Sequence, residues 1–188
     1  MSADFFFQDP TFEIQPLKAV AVFKWQHIPD EDVRYSIATE EQYLCFQMYM
    51  LKNLRHTQAG QIENKPYVKE LGLSVRAGAI KAAVLVSASI VEAALRAIAE
   101  KRKYPLNSDP KRRTLGNVIR AWEKDGKPRQ EVVPIWTQVK AMHEVRNFVH
   151  LHKAAKDTDA NWAAILANEE ALLSGAQAAI NHVSTIEA

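Results

Sequence analysis

The chain has 188 residues, 47% hydrophobic and 24% charged, the composition of one globular domain with a substantial core rather than of a disordered or fibrous chain. A formal net charge of +2 is too small to argue by itself for a nucleic-acid or membrane partner, so local clusters of charge matter more than the total. The single cysteine, Cys45, excludes an intramolecular disulfide framework and suits a reducing cytoplasm; its neighbours Leu44, Phe46, Met48 and Met50 make it read as a buried structural thiol.

The N-terminus has no signal-peptide pattern, having only Phe5, Phe6 and Phe7 before Gln8-Asp9-Pro10. Residues 1–36 read as an N-terminal arm or short β-hairpin, because Phe12 and Ile14 alternate with polar neighbours and a β-branched and aromatic run follows from Ala19 to Trp25. Residues 37–188 read as a helical bundle. Its first helix is expected from Thr39, which forms a capping box with Gln42, to about His56, with Ala59-Gly60 and Pro66 marking the break. A second helix is expected over Val75 to Lys101. Its small residues Ala77, Gly78, Ala82, Ala83, Ser87 and Ala88 permit close packing, and Lys81, Glu92 and Arg96 mark it as a core helix rather than a membrane span.

After a loop at Pro105 and Asn107 to Pro110, a short helix is predicted from Thr114 to Lys124, stopped by Asp125-Gly126. Another follows from Val133 to about Lys153 with Pro134 in its first turn, and the last runs from Asp159 to Val183. No fixed-period repeat or flexible linker divides them. The pattern predicts an all-α fold, a four- to five-helix bundle with the N-terminal arm or hairpin beside it.

The chemistry concentrates in the penultimate helix, at Val145-Arg146-Asn147-Phe148-Val149-His150-Leu151-His152. At about 100° per residue, Arg146 and His150 share a face with Val139, Met142 and Val149, whereas His152 falls about 120° away. A guanidinium on an apolar face needs a carboxylate, a phosphate or water. Glu92 is the first candidate carboxylate, because Leu85, Ala88, Leu95 and Ala99 surround it on its own helix and an unpaired charge there is costly; Arg96 is its other candidate partner. Two readings follow. Arg146 and His150 line a cleft, where one holds a phosphate and the other moves a proton, or Arg146 is an internal ion-pair partner and His150 caps a helix end.

Lys101, Lys103, Lys111, Arg112 and Arg113, with Arg102, bracket the 104–110 loop against Asp109 alone, and such a cluster either neutralises phosphates or is a solvated surface. Tyr104 adds an aromatic. No phosphate-binding glycine loop, dinucleotide fingerprint, zinc-protease element or paired cysteines are present, and His143, His150 and His152 do not make a metal set because His152 faces away from the other two. No metal and no cofactor are expected.

The Arg146-Asn147-x-x-His150 string resembles the signature of the HEPN superfamily of helical domains, in its uncharacterised bacterial branch. The resemblance spans about residues 75–183: Ile90 to Leu95, then Thr114 to Ile119, then the signature helix and a final long helix. It implies a homodimer that engages RNA in prokaryotic defence or stress, as in toxin-antitoxin systems. In its active form it implies a cytoplasmic, metal-independent endoribonuclease with Arg146, Asn147, His150 and Glu92 in the site. The family's arginine-to-histidine spacing is met by His152 and the helix geometry by His150, so His152 stays in reserve. The alternative is a non-catalytic interaction or immunity module with a cognate protein partner, in which Arg146 and Glu92 are structural.

Overall fold

Asp30 starts the first long helix: its side chain accepts from the Val33 amide at 3.2 Å, and Glu31 and Asp32 in the first turn complement the positive end of the helix dipole. The computed structural model of this chain describes residues 11–54, 72–147 and 158–188. Its helices are α1 (Leu17–Ala19), α2 (Glu31–Asn53), α3 (Leu73–Lys101), α4 (Leu115–Ala121), α5 (Trp136–Asn147), α6 (Thr158–Ala167) and α7 (Glu169–Val183), joined by shorter turns. The fold is all-α, and the β-structure among the described residues is one two-residue hairpin.

The N-terminal segment departs from the expected arm or hairpin. From Leu17 the chain is helical, with α1 running into a π-helical turn at Val20–Lys24. Val20, Ala21, Trp25 and Ile28 are buried while Val22 and Phe23 are exposed, a spacing that fits a helical face and not a two-residue alternation. Trp25 is sealed in the common core and donates from Nε1 to Glu41 Oε2 at 2.8 Å, so this part of the leader belongs to the bundle. Thr39, expected as a cap, lies inside α2 and donates to the Tyr35 carbonyl at 2.9 Å, the usual bond of a mid-helix threonine. Cys45 is exposed rather than buried, because the stripe that α2 buries runs through Ile37, Ala38, Leu44 and Leu51 and leaves its neighbour outside.

α3 is the central element and packs against α2, α4, α5, α6 and α7. It is long and apolar enough to cross a membrane by length and composition, yet its buried residues, from Ala77 and Ile80 to Leu95 and Ile98, occupy most of its circumference inside the bundle. It ends in a Schellman-type cap: Lys103 takes φ +56°, and the Tyr104 and Lys103 amides donate to the Ala99 and Glu100 carbonyls at 2.8 and 3.1 Å.

α4 is shorter than predicted. Glu123–Lys124 and Lys127–Pro128 pair antiparallel around Asp125 and Gly126, whose φ values of +53° and +73° are those of a tight hairpin turn. Pro134 lies in a 3₁₀ turn, Gln130–Ile135, before α5 begins at Trp136. The expected last helix is divided at Asn168, whose side-chain amide bonds back to the Ala164 carbonyl at 2.8 Å; directly after it Glu169 pairs with Arg76 of α3.

Candidate functional site

Arg146 sits four residues after Met142 and seven after Val139, both buried, so it continues the stripe that α5 turns inward. What meets it is Glu92 of α3, in an ion pair with the carboxylate at Glu92 Oε2 and the guanidinium at Nη1. The predicted pairing is therefore made, and Arg96 turns instead to Glu100 at 3.0 Å. Glu92 keeps 15% of its side chain accessible and Arg146 keeps 38%, so the acid is largely enclosed while the arginine side chain is only partly covered.

Arg146 opens onto a groove of about 460 Å³. Its walls are Leu85 of α3, Thr114, Leu115 and Gly116 at the start of α4, and His143 and Asn147 beside Arg146 on α5. His143 lies three residues before Arg146 and four before Asn147, on one side of the helix, and Asn147 Nδ2 stands 3.4 Å from its Nδ1. The imidazole presses on the backbone of α4, where a Cβ at position 116 would lie 3.0 Å from His143 Nε2. Glycine is what lets the ring fit there.

His143 is the site residue that sequence reasoning passed over, having weighed it only as a metal ligand. Its three-residue spacing from Arg146 was the available signal, since residues so spaced are neighbours on a helix surface. His150 and His152, assigned catalytic and reserve roles, lie outside the described residues, so the groove is defined by Arg146, Asn147 and His143.

The six cations of the 101–113 region separate into two kinds. Lys101, Lys103 and Lys111 are exposed, and Arg112 is 77% exposed with Asp109 3.5 Å away. Arg102 and Arg113 are structural. Arg113 donates to Glu100 Oε1 at 2.6 Å and to the Asn107 carbonyl at 2.7 Å, and Arg102 to Glu131 Oε1 at 2.7 Å and to the Tyr104 hydroxyl at 3.1 Å. Burial works to lower the Arg102 pKa, but the bonds to Tyr104 and Glu131 outweigh it and raise the value above the ordinary one. Tyr104 is also absorbed into the fold, with the Arg129 guanidinium 3.7 Å from its ring centre and its edge against Trp122. The exposed Lys111 and Arg112 immediately precede the Thr114 end of the groove, and Asn117 of α4 holds that turn by bonding to the Arg112 carbonyl.

A larger hollow of about 590 Å³ lies on another side of α5, floored by Met142, Ile165 and Ala176. Its described lining carries Lys81 and the Gln138 and Asn168 amides but no arginine, histidine or carboxylate, and it is the smaller groove that joins Arg146 and Asn147 to an imidazole. Comparison with protein-family models, curated proteins and solved structures gives no match.

Proposed function

We propose that the Arg146 groove binds the phosphodiester backbone of RNA, and that the chain is a HEPN-like helical module acting as a homodimer in a prokaryotic defence or stress response. One observation carries the reading: Arg146 is steered by Glu92 yet remains 38% accessible at the mouth of a groove. A guanidinium aimed by a carboxylate is suited to phosphate, because its five donors allow one edge to be held while another meets the ligand. The exposed Lys111 and Arg112, which immediately precede Thr114, add positive charge near that end of the groove, and a nucleic-acid backbone gains from such charge.

The test is fluorescence anisotropy with a labelled mixed-sequence single-stranded RNA at two salt concentrations. Arg146→Gln is expected to weaken binding about tenfold, as loss of a charged hydrogen bond should. A Lys111→Ala/Arg112→Ala double variant is expected to lower the slope of log affinity against log salt by about 2. No binding by the parent chain at low salt defeats the proposal. Incubating mixed RNA in EDTA with the parent, His150→Ala and His152→Ala asks whether the module also cleaves without metal, and which histidine cleavage needs.

A second reading has its own support in the near enclosure of Glu92, for which Arg146 supplies the compensating charge. In that reading the pair holds α3 to α5 in a non-catalytic interaction or immunity module. It takes precedence if Arg146→Gln unfolds the chain and the parent binds no RNA.

A further inference from the structure

We infer that His143 is a second donor to the anion held by Arg146, so that the groove grips a phosphate with two arms, a guanidinium and an imidazole N–H. The inference rests on the reading of this groove as phosphate-binding and adds a residue to it.

Asn147 Nδ2 stands 3.4 Å from His143 Nδ1, and in the tautomer that accepts this amide N–H the lone pair is on Nδ1. A neutral imidazole with its lone pair on Nδ1 carries its proton on Nε2. That N–H lies at the Gly116 edge of the groove and has no acceptor among the described residues. Three residues on, Arg146 presents a second set of donors to the same groove, and none of the described residues lining it is a carboxylate. Beyond the edge of Arg146 that Glu92 holds, two donor groups in a hollow with no carboxylate in its described lining are complementary to an anion with several acceptor oxygens, which is what a phosphodiester offers. The same tautomer has a chemical corollary. In that tautomer Nδ1 faces Asn147 and Nε2 bears hydrogen, so the neutral ring offers the groove a donor and no lone pair, which suits binding and orienting an anion.

The decisive measurement is a nitrogen-15 NMR spectrum of the histidine rings in the unmodified chain, followed by titration with inorganic phosphate. The expected result is an Nε2–H tautomer for His143 and movement of its ring resonances with phosphate. With the labelled RNA, His143→Phe is expected to weaken binding about tenfold and His143→Gln about threefold, since glutamine restores an N–H donor. An Nδ1–H tautomer, ring signals indifferent to phosphate, or equal losses for Phe and Gln would overturn the inference. If any of these occurs while RNA binding still depends on Arg146, this inference falls and the proposed function stands. A parent that binds neither RNA nor phosphate removes both.

Discussion

The Glu92–Arg146 pair supports both functional readings, so its energetics can be made to separate them. Fully exposed pairs contribute about 0–1 kcal/mol, and removing one partner of a fully buried pair costs about 3–5 kcal/mol. With Glu92 at 15% and Arg146 at 38% accessibility the pair lies between these limits. Arg146→Met, which strands the carboxylate, should therefore cost about 2 kcal/mol, and Glu92→Gln, whose amide oxygen still accepts from the guanidinium, about 1 kcal/mol. Replacing both, as Glu92→Leu/Arg146→Met, removes the stranded charge and should return stability to within about 1 kcal/mol of the parent. For a chain of this length 1 kcal/mol moves the melting temperature by about 2–4 °C, so Arg146→Met should melt about 4–8 °C lower. Thermal melts by circular dichroism and urea midpoints measure these values, and RNA affinity is recorded on the same samples. Phosphate binding requires Glu92→Gln to lose stability but keep or gain affinity, because Arg146 is retained with more of its charge free. A purely structural pair requires Arg146→Met to lose stability while neither it nor the parent binds RNA. Melting of Arg146→Met within about 1 °C of the parent, with a double-mutant coupling below about 0.5 kcal/mol, would refute the energetic argument itself.

Gly116→Ala tests the packing of His143. Alanine gains about 0.5–1 kcal/mol over glycine in a helix, while its Cβ would stand 3.0 Å from Nε2, so stability should stay near the parent's in urea melts while RNA affinity drops about threefold as the ring is pushed aside. Trp122 is fully buried and donates from Nε1 to the Leu95 carbonyl at 2.9 Å, so Trp122→Phe should cost about 2–3 kcal/mol by loss of that bond and of packing, read in the same melts. Burial of the His27 ring, whose Nε2 has no hydrogen-bond partner among the described residues, lowers its pKa from 6.5. The unfolded chain takes up that proton first, so this contribution to stability is whole above about pH 6.5 and is lost as pH falls towards the lower folded value, and His27→Phe should flatten that part of the curve. Glu131 adds a separate acid limb. Its own backbone N–H and Arg102 hold its carboxyl below 4.5 despite burial, so its contribution is present above that value and is lost at lower pH.

The central helix was legible because its composition leaves few alternatives: a long run of alanine and aliphatic residues with an acid, Glu92, in the middle of its apolar face must be buried, and that acid must find a cation. Glu92 and Arg146 were paired on that argument, and the structure pairs them. The N-terminal segment misled because Ala19 to Trp25 has strand-like residue types, while burial of Val20, Ala21, Trp25 and Ile28 follows a helical spacing set by tertiary packing. Thr39 offered the sequence features of a cap, but Asp30 with Glu31 and Asp32 behind it is a better start to the same helix. The basic cluster was visible as charge, but its division was not. Whether an arginine is spent on Glu100 or Glu131, or left to solvent like Arg112, depends on carboxylates from other elements. His143 was hidden for a similar reason, because its significance comes from the bare backbone of Gly116 on a different helix.

These details converge on α5. A helix that only closed the core would continue the line of Val139 and Met142 with another apolar residue, and removing both charges in favour of packed hydrophobic side chains is often neutral or stabilising. Instead the chain places an arginine on that line, supplies an acid from the central helix to receive it, and leaves more than a third of the arginine side chain accessible beside an imidazole and an amide. Exposure weakens the attraction to Glu92 but spares Arg146 part of its own desolvation cost, so a structural pair tolerates it, and it also leaves donors free for a further acceptor. Exposure is useful when the arginine has a second acceptor to meet. Under the proposed reading the accessible part of Arg146 is where an anion would meet it, with Glu92 setting the direction of approach.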